Sequence, residues 1–199
     1  MPLRLPEPGT FERRLRPVRV EVASLVRLSR HPATEPYWSA GVYRFDDPQP
    51  EREGSFGVCY AGNSIAVAFA ESVIHEVGRF VGGRFEVPIT ELTERWIVRF
   101  RCERRKTLVL ADLTGEALKA LGLNNDVSAT NDYSVPQLWA RAIHDASPHW
   151  DGVRYVSRQM NKGVAYAIFD RSALLKLSAV RLTGRQIDAL CDRFNVDAV

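Results

Sequence analysis

The run Ser55-Phe56-Gly57-Val58-Cys59-Tyr60-Ala61-Gly62-Asn63-Ser64-Ile65-Ala66-Val67-Ala68-Phe69-Ala70-Glu71 reads as a strand, a turn and the start of a helix. Aromatic and β-branched residues dominate 55–60, the signature of a strand. Ala61-Gly62-Asn63-Ser64 is the turn, and Asn63 or Ser64 supplies a side-chain oxygen able to cap a helix. Ile65, Ala68, Phe69, Ser72 and Val73 then recur at spacings of three and four, which predicts a helix over 65–77 that ends near Gly78. Glu71 falls in the middle of that helix.

Upstream, residues 1–17 are rich in proline and arginine and read as an irregular lead-in that packs late or not at all, leaving 18–199 as the domain proper. Residues 18–28 read as one strand with Arg27 at its end. Pro32, Pro36, Pro48 and Pro50 mark a long loop region, interrupted by a short extended piece at 41–45. Downstream, 96–102 and 107–110 read as strands joined like a hairpin by the basic turn Glu103-Arg104-Arg105-Lys106. Asp112-Leu113 opens a short helix that runs to Leu121 and closes at Gly122. Residues 133–144 form a further helix with Pro136 in its first turn, and Leu138, Trp139 and Ala142 are expected to face the core. Asp151-Gly152 is a tight turn into a strand ending at Ser157. Strands at 164–169 and 173–180 follow, and a helix over 183–194, capped by Thr183, closes the chain. Strands and helices do not alternate regularly, so the expected fold class is α+β: a single domain with a mixed, split β-sheet core flanked by helices.

At 199 residues the chain fits one domain. Its 45% hydrophobic and 26% charged content argues against disorder, collagen-like and coiled-coil architectures. No apolar run approaches the roughly 20 residues needed to span a bilayer, and the N-terminal residues lack an apolar signal core. A cytoplasmic protein with no membrane association is therefore expected. Cys59, Cys102 and Cys191 are odd in number and lack Cys-x-x-Cys spacing, which argues against a disulfide framework. His31, His75, His144 and His149 are too scattered to suggest a metal site, so no metal is expected. The net charge of +3 is small and the basic stretches are interrupted, so direct nucleic-acid binding is not expected either. Trp38, Trp96, Trp139 and Trp150 are assigned to packing.

The phosphate-loop, dinucleotide-fold, zinc-protease and serine-hydrolase motifs are all absent. What remains is a set of polar residues at the margins of predicted elements: Arg27, Arg44, Tyr60, Glu71 and Ser157. Each also has a purely structural use. Arg27 suits a strand-end ion pair, Glu71 a solvated helix face, Tyr60 the core, Ser157 a hydrogen bond to backbone, and Arg44 the surface.

Taken in order, three segments resemble the RES-domain family. They are Arg44-Phe45 with its Asp46-Asp47-Pro48 turn, Gly57-Val58-Cys59-Tyr60-Ala61 leading into Ser64-Ile65-Ala66-Val67-Ala68-Phe69-Ala70-Glu71, and the distant Trp150-Asp151-Gly152-Val153-Arg154-Tyr155-Val156-Ser157. The likeness spans roughly 20–180 and places the family's Arg, Glu and Ser on Arg27, Glu71 and Ser157. Where the family usually has Gly-Arg-Trp this chain has Tyr43-Arg44-Phe45, and its loop over 46–55 is long.

The resemblance implies a fold like the ADP-ribosyltransferases and a toxin, partnered by an Xre-type helix-turn-helix antitoxin, that consumes NAD. It implies cleavage of the nicotinamide–ribose bond, with phosphate or water as acceptor. A protein ADP-ribosyltransferase toxin and a non-catalytic nucleotide-binding regulatory module stay open as alternatives. In that reading Glu71 stabilises the cationic ribose of the transition state, Arg27 and Arg44 grip the diphosphate, Tyr60 stacks on nicotinamide or bonds ribose, and Ser157 holds a ribose hydroxyl or phosphate. Glu71, Arg27 and Tyr60 are the catalytic candidates; Arg27, Arg44, Tyr60 and Ser157 the binding candidates.

Overall fold

A computed structural model describes residues 3–103 and 105–199; Met1 and Pro2 of the lead-in, and Arg104 of the basic turn, lie outside the described residues. The chain forms β1 (Pro17–Glu21), β2 (Val26–Ser29) and, after the proline-marked loop, β3 (Val58–Gly62). Helical backbone over 65–77 follows in three parts: α1 (Ile65–Phe69), a π-helical turn (Ala70–Ile74) and α2 (His75–Val77). The hairpin of β4 (Arg79–Val81) and β5 (Arg84–Val87), and a short α3 (Ile89–Thr93), lead to β6 (Trp96–Arg101) and β7 (Thr107–Leu113). Then come α4 (Gly115–Ala120), α5 (Asp126–Ala129) and α6 (Ser134–Ala146). The strands β8 (Gly152–Val156), β9 (Val164–Phe169) and β10 (Leu175–Arg181) precede α7 (Gly184–Phe194) and β11 (Val196–Ala198).

The main sheet has eight strands in the order β1, β7, β8, β9, β3, β2, β6, β10, with β7 and β8 parallel and the other neighbours antiparallel. A small sheet of β11, β5 and β4 lies apart from it. The fold is α+β with a mixed sheet. Side chains of α6, Trp139, Ala140 and Ile143, pack with Leu113, Val153 and Tyr155 of the sheet. Phe69 and Val73 of the 65–77 helix join Ile187 and Leu190 of α7 against Val26, Leu28 and Ile97. Each fully buried Leu or Phe of this kind contributes about 1.5–3 kcal/mol through removal of apolar surface from water. No helix among the described residues is long and apolar enough to cross a membrane.

The sheet opens in its middle. Adjacent strands β2 and β3 share the single pair Val26↔Gly62, whereas β3 pairs along its whole length with β9, and β2 pairs from Val26 to Ser29 with β6. Beyond Gly62 the helix crosses so tightly that a Cβ there would lie 2.9 Å from the Ala68 nitrogen, so only glycine fits. Ser64 caps the helix by accepting from Val67 N–H at 3.2 Å, one of the two caps expected from the sequence.

Several expectations are corrected. Residues 18–28 do not make one strand: a 3₁₀ turn at Val22–Ser24 breaks them, sending β1 to the sheet edge beside β7 and β2 to its interior. A continuous apolar run does not distinguish one strand from two, and the break is set by Val22 N–H bonding to Lys106 O. The strands β6 and β7 are no hairpin, since four strands separate them in the sheet. Asp112 and Leu113 belong to β7, not to a helix, which starts only at Gly115. Residues 41–45 form turns rather than an extended piece. Leu138 points outward while Trp139 is buried, as the α6 axis is rotated from the expected face. The lead-in is packed: Phe11 is buried edge-on against Trp139, and Trp139 Nε1–H donates to Arg4 O at 2.7 Å.

Candidate active site

The gap between β2 and β3 widens into a cleft of about 440 Å³, within the range of small-molecule sites. Its walls bring together residues far apart in the chain: Arg27, Arg44, Tyr60 and Glu71 all line it. The 65–77 helix contributes Ala68, Glu71, Ser72, His75 and Glu76, one face at helical spacing. Glu71 sits in the π-helical turn, a distortion often found where a helix serves a site.

At one pole stands Glu71. Its Oε1 accepts from the Ser157 hydroxyl at 2.5 Å and faces Gln159 N–H at 3.5 Å. Ser157 is wholly buried, and its oxygen also accepts from Met160 N–H at 3.1 Å. It does not line the cleft, so the expected contact of Ser157 with a ribose hydroxyl or phosphate gives way to a different role: holding Glu71 from behind. Arg44 faces the same pole. Its Nη1 donates to Thr130 O at 2.6 Å and its guanidinium lies 4.7 Å from the Tyr133 ring centroid. Burial lowers the Arg44 pKa, with Tyr133, Tyr155 and Glu71 acting against that shift. Arg44 is buried and so is no surface residue, and its Nε and Nη2 keep unused donors among the described residues. Its neighbour Phe45 is buried on Tyr155 at 4.8 Å between ring centroids, which is why an aromatic residue follows the arginine.

At the other pole Arg27 fills the split in the sheet. Its Nε donates to Glu35 Oε1 and its Nη1 to Tyr60 O, both at 2.9 Å, taking up a carbonyl that a neighbouring strand would otherwise pair. Burial works against its charge, but the paired Glu35 carboxylate, with Glu76 farther off, raises its pKa above the ordinary arginine value. Cys59 itself, fully buried, is pushed up to about 12 by desolvation and stays a thiol. The ion pair foreseen as the structural use of Arg27 is therefore present together with its place in the cleft, and Nη2 is unspent among the described residues.

Tyr60 presents its ring to the cleft, but its hydroxyl is occupied. It donates to Asp46 Oδ1 at 3.0 Å and accepts from Phe45 N–H at 2.8 Å, tying β3 to the loop that carries Arg44. Burial and then Asp46 raise its pKa well above the usual tyrosine value, so it is neutral. Of the two uses expected for Tyr60, stacking is compatible with this geometry and donation to ribose is not.

Sequence reasoning did not find Glu35, Tyr43, Glu76, Glu91, Arg95, Tyr133 or Tyr155 as cleft residues. His75 and Glu76 were within reach of it, lying four and five residues after Glu71 on the same helix face. Glu35, Glu91 and Arg95 carry no local signal and are assembled by the sheet order alone.

A family model described as RES domain matches residues 13–187. The chain belongs to the RES-domain family. Among solved structures, the RES fold seen here is similar to a chain in the M. tuberculosis MbcT-MbcA toxin-antitoxin complex, at 17% identity and a TM-score of 0.60, with 91% of this chain and 94% of that chain covered. No curated protein matches the chain. The RES segments quoted from the sequence thus fall on one cleft, with Arg27 and Glu71 in its walls and Ser157 behind the carboxylate.

Proposed function

We propose that this RES protein is the toxin of a toxin–antitoxin pair and consumes NAD by breaking its nicotinamide–ribose bond. The observation that carries this reading is a carboxylate clamped by a buried hydroxyl, facing a cleft in which two arginines keep guanidinium donors unspent. As the bond breaks, its electron pair leaves with nicotinamide, turning the pyridinium into a neutral ring and leaving positive charge on the ribose. Glu71, rigidly held, stabilises that charge and aligns the acceptor, because a carboxylate already fixed in place needs no reorganisation. Arg44 and Arg27 bind the diphosphate, their planar forks matching its oxygens. The rings of Tyr60, Tyr133 and Tyr155 give flat apolar surface for nicotinamide. An oxygen of phosphate or water then closes on the ribose carbon, and water passes its proton to the solvent as it does so.

Family membership and the fold shared with a chain of a toxin–antitoxin complex support an antitoxin partner for this chain; the Xre helix-turn-helix type is the partner that the resemblance read from the sequence implies. Tyr37 and Tyr43, exposed at the mouth of the cleft, with Val42 beside them, offer the apolar rim such a partner would cover.

The test is to incubate folded protein with NAD, with and without phosphate, and to follow nicotinamide release and product masses. ADP-ribose 1″-phosphate identifies phosphorolysis, ADP-ribose hydrolysis, and a protein adduct ADP-ribosyl transfer. Glu71→Gln is expected to lower nicotinamide release about 100-fold or more with an unchanged melting temperature. No release from the wild-type chain in any condition overturns the reading.

A further inference from the structure

Beyond Arg27 the cleft continues into a second wing lined by Arg30, Glu35, Glu76, Glu91 and Arg95. Its arginines are largely committed. Arg95 donates through Nε to Glu91 O at 3.1 Å and through Nη2 to Glu91 Oε2 at 2.7 Å, Arg30 pairs with Glu91 Oε1, and Arg27 with Glu35. The second oxygen of Glu35 accepts from Tyr37 N–H at 2.9 Å. Three arginines thus face three carboxylates, and one of those, Glu76, has no hydrogen-bond or ion-pair partner among the described residues.

The position of Glu76 runs against the dipole of the helix that carries it. It stands in the last turn of the 65–77 helix, before Gly78, at the negative end of the helix dipole, where an acidic side chain is disfavoured. Glu76 is exposed to the open cleft, and partial desolvation by the cleft walls still raises its pKa above the usual value, against the pull of Arg95, Arg27 and Arg30. An acceptor kept at such a position, open to the cleft and unpaired, suits a ligand that donates hydrogen bonds and bears no charge there.

Building on the NAD reading, we propose that Glu76 accepts from the hydroxyls of the adenosine ribose and makes the cleft selective for NAD over NADP. A ribose diol offers two donors to one carboxylate, the same chemistry by which an acidic residue reads an unphosphorylated ribose in dinucleotide-binding folds. A 2′-phosphate would instead set about two negative charges against Glu76. It would meet no net positive charge there, since Glu35, Glu91 and Glu76 balance Arg27, Arg30 and Arg95. The diphosphate then lies toward Arg44 and the free edge of Arg27, and the nicotinamide ribose at Glu71.

The test uses ligands that lack nicotinamide and cannot turn over. Calorimetric titration of the wild-type protein with ADP-ribose and with 2′-phospho-ADP-ribose is expected to show at least tenfold tighter binding of the former. Glu76→Gln is expected to weaken ADP-ribose binding and to reduce that ratio, and Glu76→Arg to reverse it. Glu76→Gln should melt at or above the wild-type temperature, which a residue of structural importance would not allow. Equal binding of the two ligands by the wild type, or an unchanged ratio in Glu76→Gln, overturns the proposal. Because binding is read without turnover, either result is distinct from a failure to release nicotinamide, which overturns the underlying NAD reading.

Discussion

Ser157, buried at the end of β8, donates its hydroxyl to Glu71 Oε1 from a position 86 residues away in the chain, and in doing so fixes the rotamer of a carboxylate that faces the cleft. The same oxygen accepts from Met160 N–H, so the serine also shapes the loop that returns the chain to β9.

Ser157→Ala removes the clamp without touching the ligand surface. Turnover of NAD is expected to fall about 10- to 100-fold, the scale of a misplacement near 1 Å, with KM nearly unchanged. The unpaired Met160 N–H adds a stability loss of about 1–2 kcal/mol, measurable by urea denaturation. A changed KM with an intact kcat would return Ser157 to the role of a ligand contact.

Tyr60→Phe keeps the ring and deletes one hydroxyl. The buried Asp46 oxygen and Phe45 N–H both lose a partner, which costs about 1–3 kcal/mol in thermal or denaturant unfolding. The loop bearing Arg44 loosens with it, so ADP-ribose binding should weaken several-fold. Asp46→Asn should do the same to binding, since its carboxylate also accepts from Val42 and Tyr43 N–H.

Gly152→Ala is expected to prevent folding. Gly152 has φ +151°, and a Cβ there would sit 2.2 Å from Ala167 O and 2.9 Å from Ile168 Cα, both in the backbone of the paired strand β9. No side chain can yield to relieve this, so the loss is about 4 kcal/mol or more, visible as insoluble expression or a collapsed melting temperature. The neighbouring Asp151 is equally structural, since its carboxylate is held by both terminal nitrogens of Arg105 and by Val109 N–H.

Stability should decline below neutral pH through His144. Its ring stacks on Phe56 at 4.2 Å, its Nδ1 pairs with Asp145 Oδ1, and its Nε2 takes a contact from Arg171, which requires the neutral ring. Burial lowers its pKa, Asp145 opposes this, and Arg171 lowers it further. The unfolded chain therefore takes up the proton first. The stability His144 contributes is present above its unfolded value of about 6.5 and is lost as the pH falls from there down through its folded value. The unfolding midpoint should drop as the pH falls below about 6.5, and His144→Gln should flatten that drop. Equal slopes for the two proteins would remove His144 as the cause.

Local chemistry made much of the fold legible. The helix over 65–77 and its Ser64 cap, the strands at 96–101 and 164–169, and the helix starting after Thr183 were all readable, since each depends on periodicity or on a cap within a few residues. The β4–β5 hairpin and β11 were not, because short exposed strands lack alternation. The break at Val22–Ser24 was hidden for the opposite reason, as both halves of that run are apolar enough to be strand.

The amino-acid order alone determined that Arg27, Arg44, Tyr60 and Glu71 stand beside strands and on a helix face, because side-chain direction follows from local backbone period. Only the tertiary structure decided that they share a cleft, that Ser157 stands behind Glu71 rather than before a ligand, and that Glu76 remains unpaired among arginines already bound to other acids. Those facts depend on which strands become neighbours and where the sheet parts between β2 and β3, and pairing at that distance along the chain leaves no trace in any short window of sequence.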